Sequence, residues 1–306
     1  MKVILLGTNG GPRPNPDRAA PANAVIIGSD IYVIDCGDGA ARQLALAGHR
    51  AQDVKAIFVT HHHVDHTASL GSFPVLAWTD GRKDAMQVVG PAPTKSFVEL
   101  SFEAFRTEIE ARIATTGRAD IRQNVEVTDI HEQAGIFQVY EDTNVRVTAT
   151  LVDHKPLTPA LAFRFDSDEG SVVFSGDTAY CPALIDLANG CDLLVHEAIH
   201  AQSLSLMNSG TNAPRFMDHM LSNHTTAADV GTVASLAGVQ HLALTHLAPG
   251  TKSVTDEIWE EEVRKTYEGP LSIGRDLLTF EINASRTTPR TELQSIAMSG
   301  SSSGGR

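Results

Sequence analysis

The run Thr60-His61-His62-His63-Val64-Asp65-His66 places His61, His63, Asp65 and His66 within six residues, directly behind the apolar stretch Lys55 to Val59. Imidazole nitrogens and carboxylate oxygens suit zinc, and they also suit manganese or iron. Four such donors would crowd one tetrahedral ion, so the spacing divides them: His61 and His63 toward one ion, Asp65 and His66 toward a second. Three later residues look like the donors still missing. His154 closes VRVTATLVDH, Asp177 follows SVVFSG and His246 follows HLALT. Taken singly, each reads equally well as a polar group satisfied at a sheet edge. Taken together, they complete a dinuclear set, in which Asp177 has two oxygens to bridge ions roughly 3.5–4 Å apart. Two such cations lower the pKa of a bound water, give hydroxide near neutral pH and polarise an electrophilic oxygen. Asp65 is also placed to orient that water.

These residues need strand ends to hold them. Short β-branched runs bounded by Gly, Pro or Asp predict strands at Lys2 to Leu6, Ala24 to Gly28, Ile31 to Asp35, Ala56 to Thr60, Gln87 to Val89 and Val145 to Val152. The second half adds Ala160 to Phe165, Val172 to Ser175, Leu193 to His196, Leu242 to Thr245 and Leu277 to Ile282. Helical patterns fall at Ala40 to Ala47, Lys95 to Thr115, Pro182 to Ala188, Thr226 to Ala237 and Thr255 to Tyr267. Both halves are strand-rich with helices outside, which predicts two face-to-face sheets in an αββα sandwich. One domain is expected over residues 1–284, followed by a flexible tail rich in Ser, Thr and Gly over residues 285–306.

The 306 residues carry 24 Lys and Arg against 37 Asp and Glu, a formal charge of −13. That balance argues against broad affinity for phosphate backbones. Cys36, Cys181 and Cys191 form neither an even framework nor a Cys-x-x-Cys site, which fits a reducing compartment. The apolar run Val3 to Leu6 is too short for a signal-peptide core, so the expectation is a cytoplasmic protein without a membrane span. The early GTNGG lacks the spacing of a phosphate-cradling loop and reads as a tight turn beside the site. Asp35, in IDCGDG, is expected to make an orienting or loop-closing hydrogen bond.

The order HHHVDH, VDH, FSGDT and LTH resembles the metallo-β-lactamase superfamily, over Lys2 to about Ile282. The opening LGTNGGPRP, His196-Glu197-Ala198 and NHTTAADVG at Asn223 to Gly231 are similar to the branch holding ribonuclease Z and the arylsulfatase- and phosphodiesterase-like hydrolases. The resemblance implies a four-layer αββα fold with two zinc ions at the edge between the sheets. It assigns His61, His63 and His154 to the first ion, Asp65, His66 and His246 to the second, and Asp177 to both. It also implies that His224 protonates the leaving group, with Glu197 orienting it.

The branch's ribonucleases typically carry a tRNA-gripping arm between the third histidine and the bridging aspartate. Residues 155–176 leave no room for one, and Lys95 to Arg122 reads as a mixed-charge amphipathic helix packed on the core. The expectation is therefore a small-molecule hydrolase, acting on an ester, lactone, phosphodiester, sulfate ester or activated aryl halide. RNA is disfavoured, with tRNA 3′-processing as the alternative and a non-catalytic or redox role as a further one. Tyr180 and Trp78, with Phe73, are expected to line the substrate pocket. A homodimer is the default assembly for such an enzyme.

Overall fold

In the computed structural model, described for residues 1–207, 211–283 and, as backbone only, 286–290, the strands form two stacked sheets. The first sheet uses β1 (Lys2–Gly7), β2 (Ala22–Ile27), β3 (Asp30–Ile34), β4 (Val54–Phe58), β5 (Met86–Pro91) and β6 (Val125–Ile130). The second uses β7 (Phe137–Glu141), β8 (Arg146–Leu151), β9 (Leu161–Ser167), β10 (Gly170–Phe174), β11 (Leu193–Ile199), β12 (Leu242–Ala248) and β13 (Leu271–Ile273). The chain then crosses back, and β14 (Leu278–Asn283) and β15 (Arg286–Arg290) complete the first sheet in the order β15-β14-β1-β2-β3-β4-β5-β6. The second sheet has the order β13-β12-β11-β10-β9-β8-β7.

Alternation within the strands sorts side chains between layers. Phe58, Phe163, Phe165, Tyr32, Phe174 and Phe280 point between the sheets into one apolar core. Phe58 meets Phe163 and Phe165 edge-on at centroid distances of 5.6 and 5.0 Å, contacts worth about 0.5–1.5 kcal/mol each beyond the area they bury. Ile57 and Val59 point the other way, into a second core shared with helices α1 (Ala40–Leu46), α3 (Phe73–Asp80), α4 (Thr94–Ala104) and α5 (Arg106–Thr116); the short α2 (Val64–Thr67) lies in the site loop. A third core joins the second sheet to α6 (Pro182–Ala188), α9 (Ala227–Ala237) and α10 (Asp256–Val263). Between α6 and α9 lie α7 (Ala201–Met207) and α8 (Ala213–Asn223), packed through Leu204, Phe216 and Met220. This is the αββα sandwich expected.

Several expectations change in detail. The amphipathic stretch after Lys95 is two helices, separated where Phe105 leaves helical geometry at φ −91°, ψ 9°. Trp78, expected in the pocket, is 4% exposed on α3, packed in the helix-facing core with its indole N–H donating to Ala119 O at 2.9 Å. Phe73 is fully buried in the same core. The apolar sequence around these two residues holds α3 between other elements and has no polar face to reveal it. The start of the expected flexible tail pairs instead as β15 against β14, and residues 291–306 lie outside the described residues. Among the described residues no helix is long and apolar enough to cross a membrane.

Candidate metal centre and active site

Strands β3 to β6 run parallel in the first sheet, and β10 to β13 run parallel in the second. β8 and β10 each lie antiparallel to β9 and so share a direction. The segments after β4, β8 and β10 therefore meet the end of β12 at one edge of the sandwich. These segments carry the histidine motif, His154, Asp177 and His246 respectively.

Two backbone devices aim the side chains. Opposite Glu197 and Ala198, β12 presents Thr245 and then Leu247, which leaves His246 as the extra residue of a β-bulge. Its φ of 44° lies in the left-handed region, a costly conformation that recurs at functional sites. Gly176, at φ +59°, precedes Asp177, and a Cβ there would stand 2.7 Å from Leu161 O and 3.0 Å from Thr60 Cβ. Only glycine brings the turn this close to the histidine loop.

All seven donors gather here. His61 Nε2 and His154 Nε2 lie 2.9 and 3.1 Å from His63 Nδ1. His66 Nε2 lies 3.4 Å from Asp177 Oδ1 and 3.8 Å from Asp65 Oδ2, and His246 Nε2 lies 3.5 Å from Asp65 Oδ2. Asp177 Oδ2 stands between the groups, 3.8 Å from His61 Nε2 and 3.3 Å from His246 Nε2. His66 Nε2 and Asp177 Oδ1 are buried without a hydrogen-bond partner. Bare imidazole and carboxylate atoms converging in a buried edge fit metal ions, and these clusters can hold them.

The far sides of the rings are held as metal ligands require. His66 Nδ1 pairs with Asp35 Oδ2 at 2.8 Å, while Asp35 Oδ1 accepts from Thr60 N at 2.8 Å. Asp35 thus both orients a histidine and closes the loop. His154 Nδ1 donates to Asn223 O at 2.9 Å, and His61 Nδ1 lies 3.0 Å from Thr60 Oγ1. Burial lowers His154 to about 4 and holds His61 well below the usual imidazole range, so both rings are neutral donors at pH 7. For Asp177, burial opposes ionisation, but His246 and His66 outweigh it and hold the carboxyl well below 3.8.

Beside the cluster, His224 Nδ1 contacts both oxygens of Glu197 at 2.9 Å. Burial disfavours its charge, yet the Glu197 carboxylate raises it to about 9. Glu197, itself raised by burial, also accepts from Thr178 N at 2.7 Å, which ties the pair to the Asp177 turn. A cavity of about 290 Å³ opens over these groups, with walls from Pro12, Val64, Phe216, His219 and Met220. The α8 contribution is the addition the structure makes to the expected site, and the spacing of Phe216 and Met220, four apart on one helix face, is its signal in the sequence. Tyr180 does not line this cavity; it is 43% exposed just before α6.

Comparison with known proteins agrees with this geometry. Residues 31–247 match the β-lactamase superfamily domain. A ribonuclease Z of Mycobacterium bovis (strain BCG / Pasteur 1173P2) is 33% identical over 290 residues, covering 94% of this chain and 100% of the relative. One of Mycobacterium marinum is 32% identical over 288 residues, covering 93% and 99%. Human tRNase Z, short form, shares the fold at a TM-score of 0.67 and 18% identity, covering 92% of this chain and 99% of that one. The chain belongs to the metallo-β-lactamase superfamily of hydrolases, in its ribonuclease Z branch.

The expectation of a small-molecule substrate is overturned by these relatives. It rested on the missing arm, and residues 155–176 do contain only a turn, β9 and β10. Yet this armless chain matches the M. bovis ribonuclease Z along that protein's whole length. The missing arm therefore does not set the chain apart from ribonucleases.

Proposed function

We propose that this protein is a ribonuclease Z-type endoribonuclease that hydrolyses a phosphodiester bond at the 3′ side of precursor tRNA, in the cytoplasm, with two zinc ions. The full-length match to proteins named ribonuclease Z carries this reading. The His224–Glu197 pair beside seven clustered donors supports it chemically. Three buried, unpaired cysteines are in keeping with a reducing compartment.

His61, His63 and His154 would hold one ion, Asp65, His66 and His246 the other, with Asp177 between them. When bound, the ions supply an activated water and neutralise charge on the scissile phosphate. The protein's own groups supply the rest. Asp65 accepts a hydrogen bond from the attacking water and fixes its direction. Glu197 keeps His224 charged and turned toward the cluster. The proton on His224 then passes to the departing ribose oxygen, the step expected of a positioned acid. The walls from Pro12, Val64 and Phe216 restrict bulk water around the reacting phosphate.

The test is incubation of zinc-loaded protein with a precursor tRNA carrying a 3′ trailer. A single cut near the end of the acceptor stem, lost on Asp177→Ala, is the expected result. Failure to cut, with turnover of other phosphodiesters retained, would overturn the substrate while leaving the hydrolase class intact.

A further inference from the structure

The far nitrogens of His61, His66 and His154 each meet a protein partner, at 3.0, 2.8 and 2.9 Å. His246 differs. Its Nδ1 is buried without a hydrogen-bond partner, and the nearest carboxylate oxygen, Glu197 Oε2, is 3.9 Å away. A buried polar nitrogen left in this condition costs stability, and on the other side of the ring Nε2 accepts only a long contact from Gly11 N at 3.4 Å.

Below the metal centre, between the two sheets, lies a small cavity bordered by Asn23, Ser175, Glu197, Thr245 and His246. It offers about 20 Å³ to the centre of a water molecule, enough for one water. Asn23 is the inward-facing polar residue of β2. It sits in register with Leu5 and Ile34, and two residues along the strand Val25 enters the inter-sheet core. An amide among such neighbours is expensive unless it is bonded. Its Oδ1 is also buried without a partner. Two orphaned polar atoms, His246 Nδ1 and Asn23 Oδ1, thus belong to residues that border one cavity of single-water size.

We propose that this cavity is an internal water site, in which one water accepts from His246 Nδ1–H and donates to Asn23 Oδ1. The bridge would hold the proton on Nδ1, reinforcing the tautomer that the long Gly11 N contact to Nε2 favours, and make Asn23 a positioning residue for the second ion. Asn23 itself touches neither substrate nor metal in this arrangement. The proposal rests on the ligand assignment given above.

The test uses Asn23→Val and Asn23→Thr, which match in shape and differ in the hydroxyl. Both ion affinities are measured by competition with a chromophoric zinc chelator, with circular dichroism as the check on folding. Asn23→Val is expected to weaken one of the two sites about 10- to 100-fold, and Asn23→Thr to recover most of that loss. Equal affinities in Asn23→Val and wild type would overturn the water bridge. Wild type that binds fewer than two ions would overturn the ligand assignment and the bridge with it. Should Asn23→Val fail to fold, a crystal structure of the zinc-loaded wild type at better than about 1.5 Å decides. A water within hydrogen-bond reach of both His246 Nδ1 and Asn23 supports the bridge, and a dry cavity overturns it.

Discussion

His224 and Glu197 act as a unit because one orients and charges the other across 2.9 Å. His224→Ala should lower kcat on the proposed precursor-tRNA substrate by about 10²–10⁴-fold with two ions still bound. Glu197→Gln should cost less. Added to His224→Ala it should lower kcat by no more than about threefold further, since residues serving one step are not additive. Equal, independent losses in steady-state kinetics would argue that Glu197 works only by holding the Thr178 backbone. Asp177 reaches toward both ion groups, so Asp177→Ala should reduce bound zinc from about two equivalents to one or none by plasma mass spectrometry.

At the scale of elements, the turn after β10 has no slack. Gly176→Ala puts a methyl against Leu161 O and forces a side chain into the left-handed region. We expect a loss of about 2–4 kcal/mol in chemical denaturation, together with weaker zinc binding because the turn carries Asp177. Far from the site, the hairpin turn between β7 and β8 is fastened by Asp142, which accepts from Tyr32 and Tyr140 at 2.8 and 2.9 Å and meets Lys55 at 3.0 Å. Burial opposes the Asp142 charge, but the Asn144 backbone N–H, Lys55 and the two tyrosines hold its pKa at about 2. A depressed carboxyl stabilises the fold above its unfolded pKa and loses that contribution as pH falls toward the folded value. The stability gap between wild type and Asp142→Asn should therefore be full near pH 6 and close between about pH 4 and pH 2. Denaturant titrations of the two metal-free proteins read it directly, and a gap independent of pH would contradict the assignment.

Across the whole molecule, the ions would join segments from both sheets, so chelation should lower Tm by about 10 °C, reversibly on adding zinc. An unchanged Tm would place the donors in a cluster that holds no ion. Much of this site was legible in the sequence because its chemistry is local. The motif from His61 to His66 has its donors at fixed offsets, and the apolar run of β4 shows where they begin. His154, Asp177 and His246 were legible as polar residues ending apolar runs. Trp78 lies away from the site because aromatic character says nothing about which face of an element is buried, and α3 buries Trp78 on the helix side of the sheet. The α8 wall was not legible because its apolar spacing points to a partner that the sequence does not name. The sequence by itself determined the donor set, the two-layer strand pattern and the hydrolytic chemistry, all properties of residue type and short spacing. The tertiary structure alone decided that β14 returns to β1, that a bulge turns His246 toward Asp177, and that Asn23 and His246 border one small cavity. Those are contacts between residues distant along the chain, set by strand register and sheet packing.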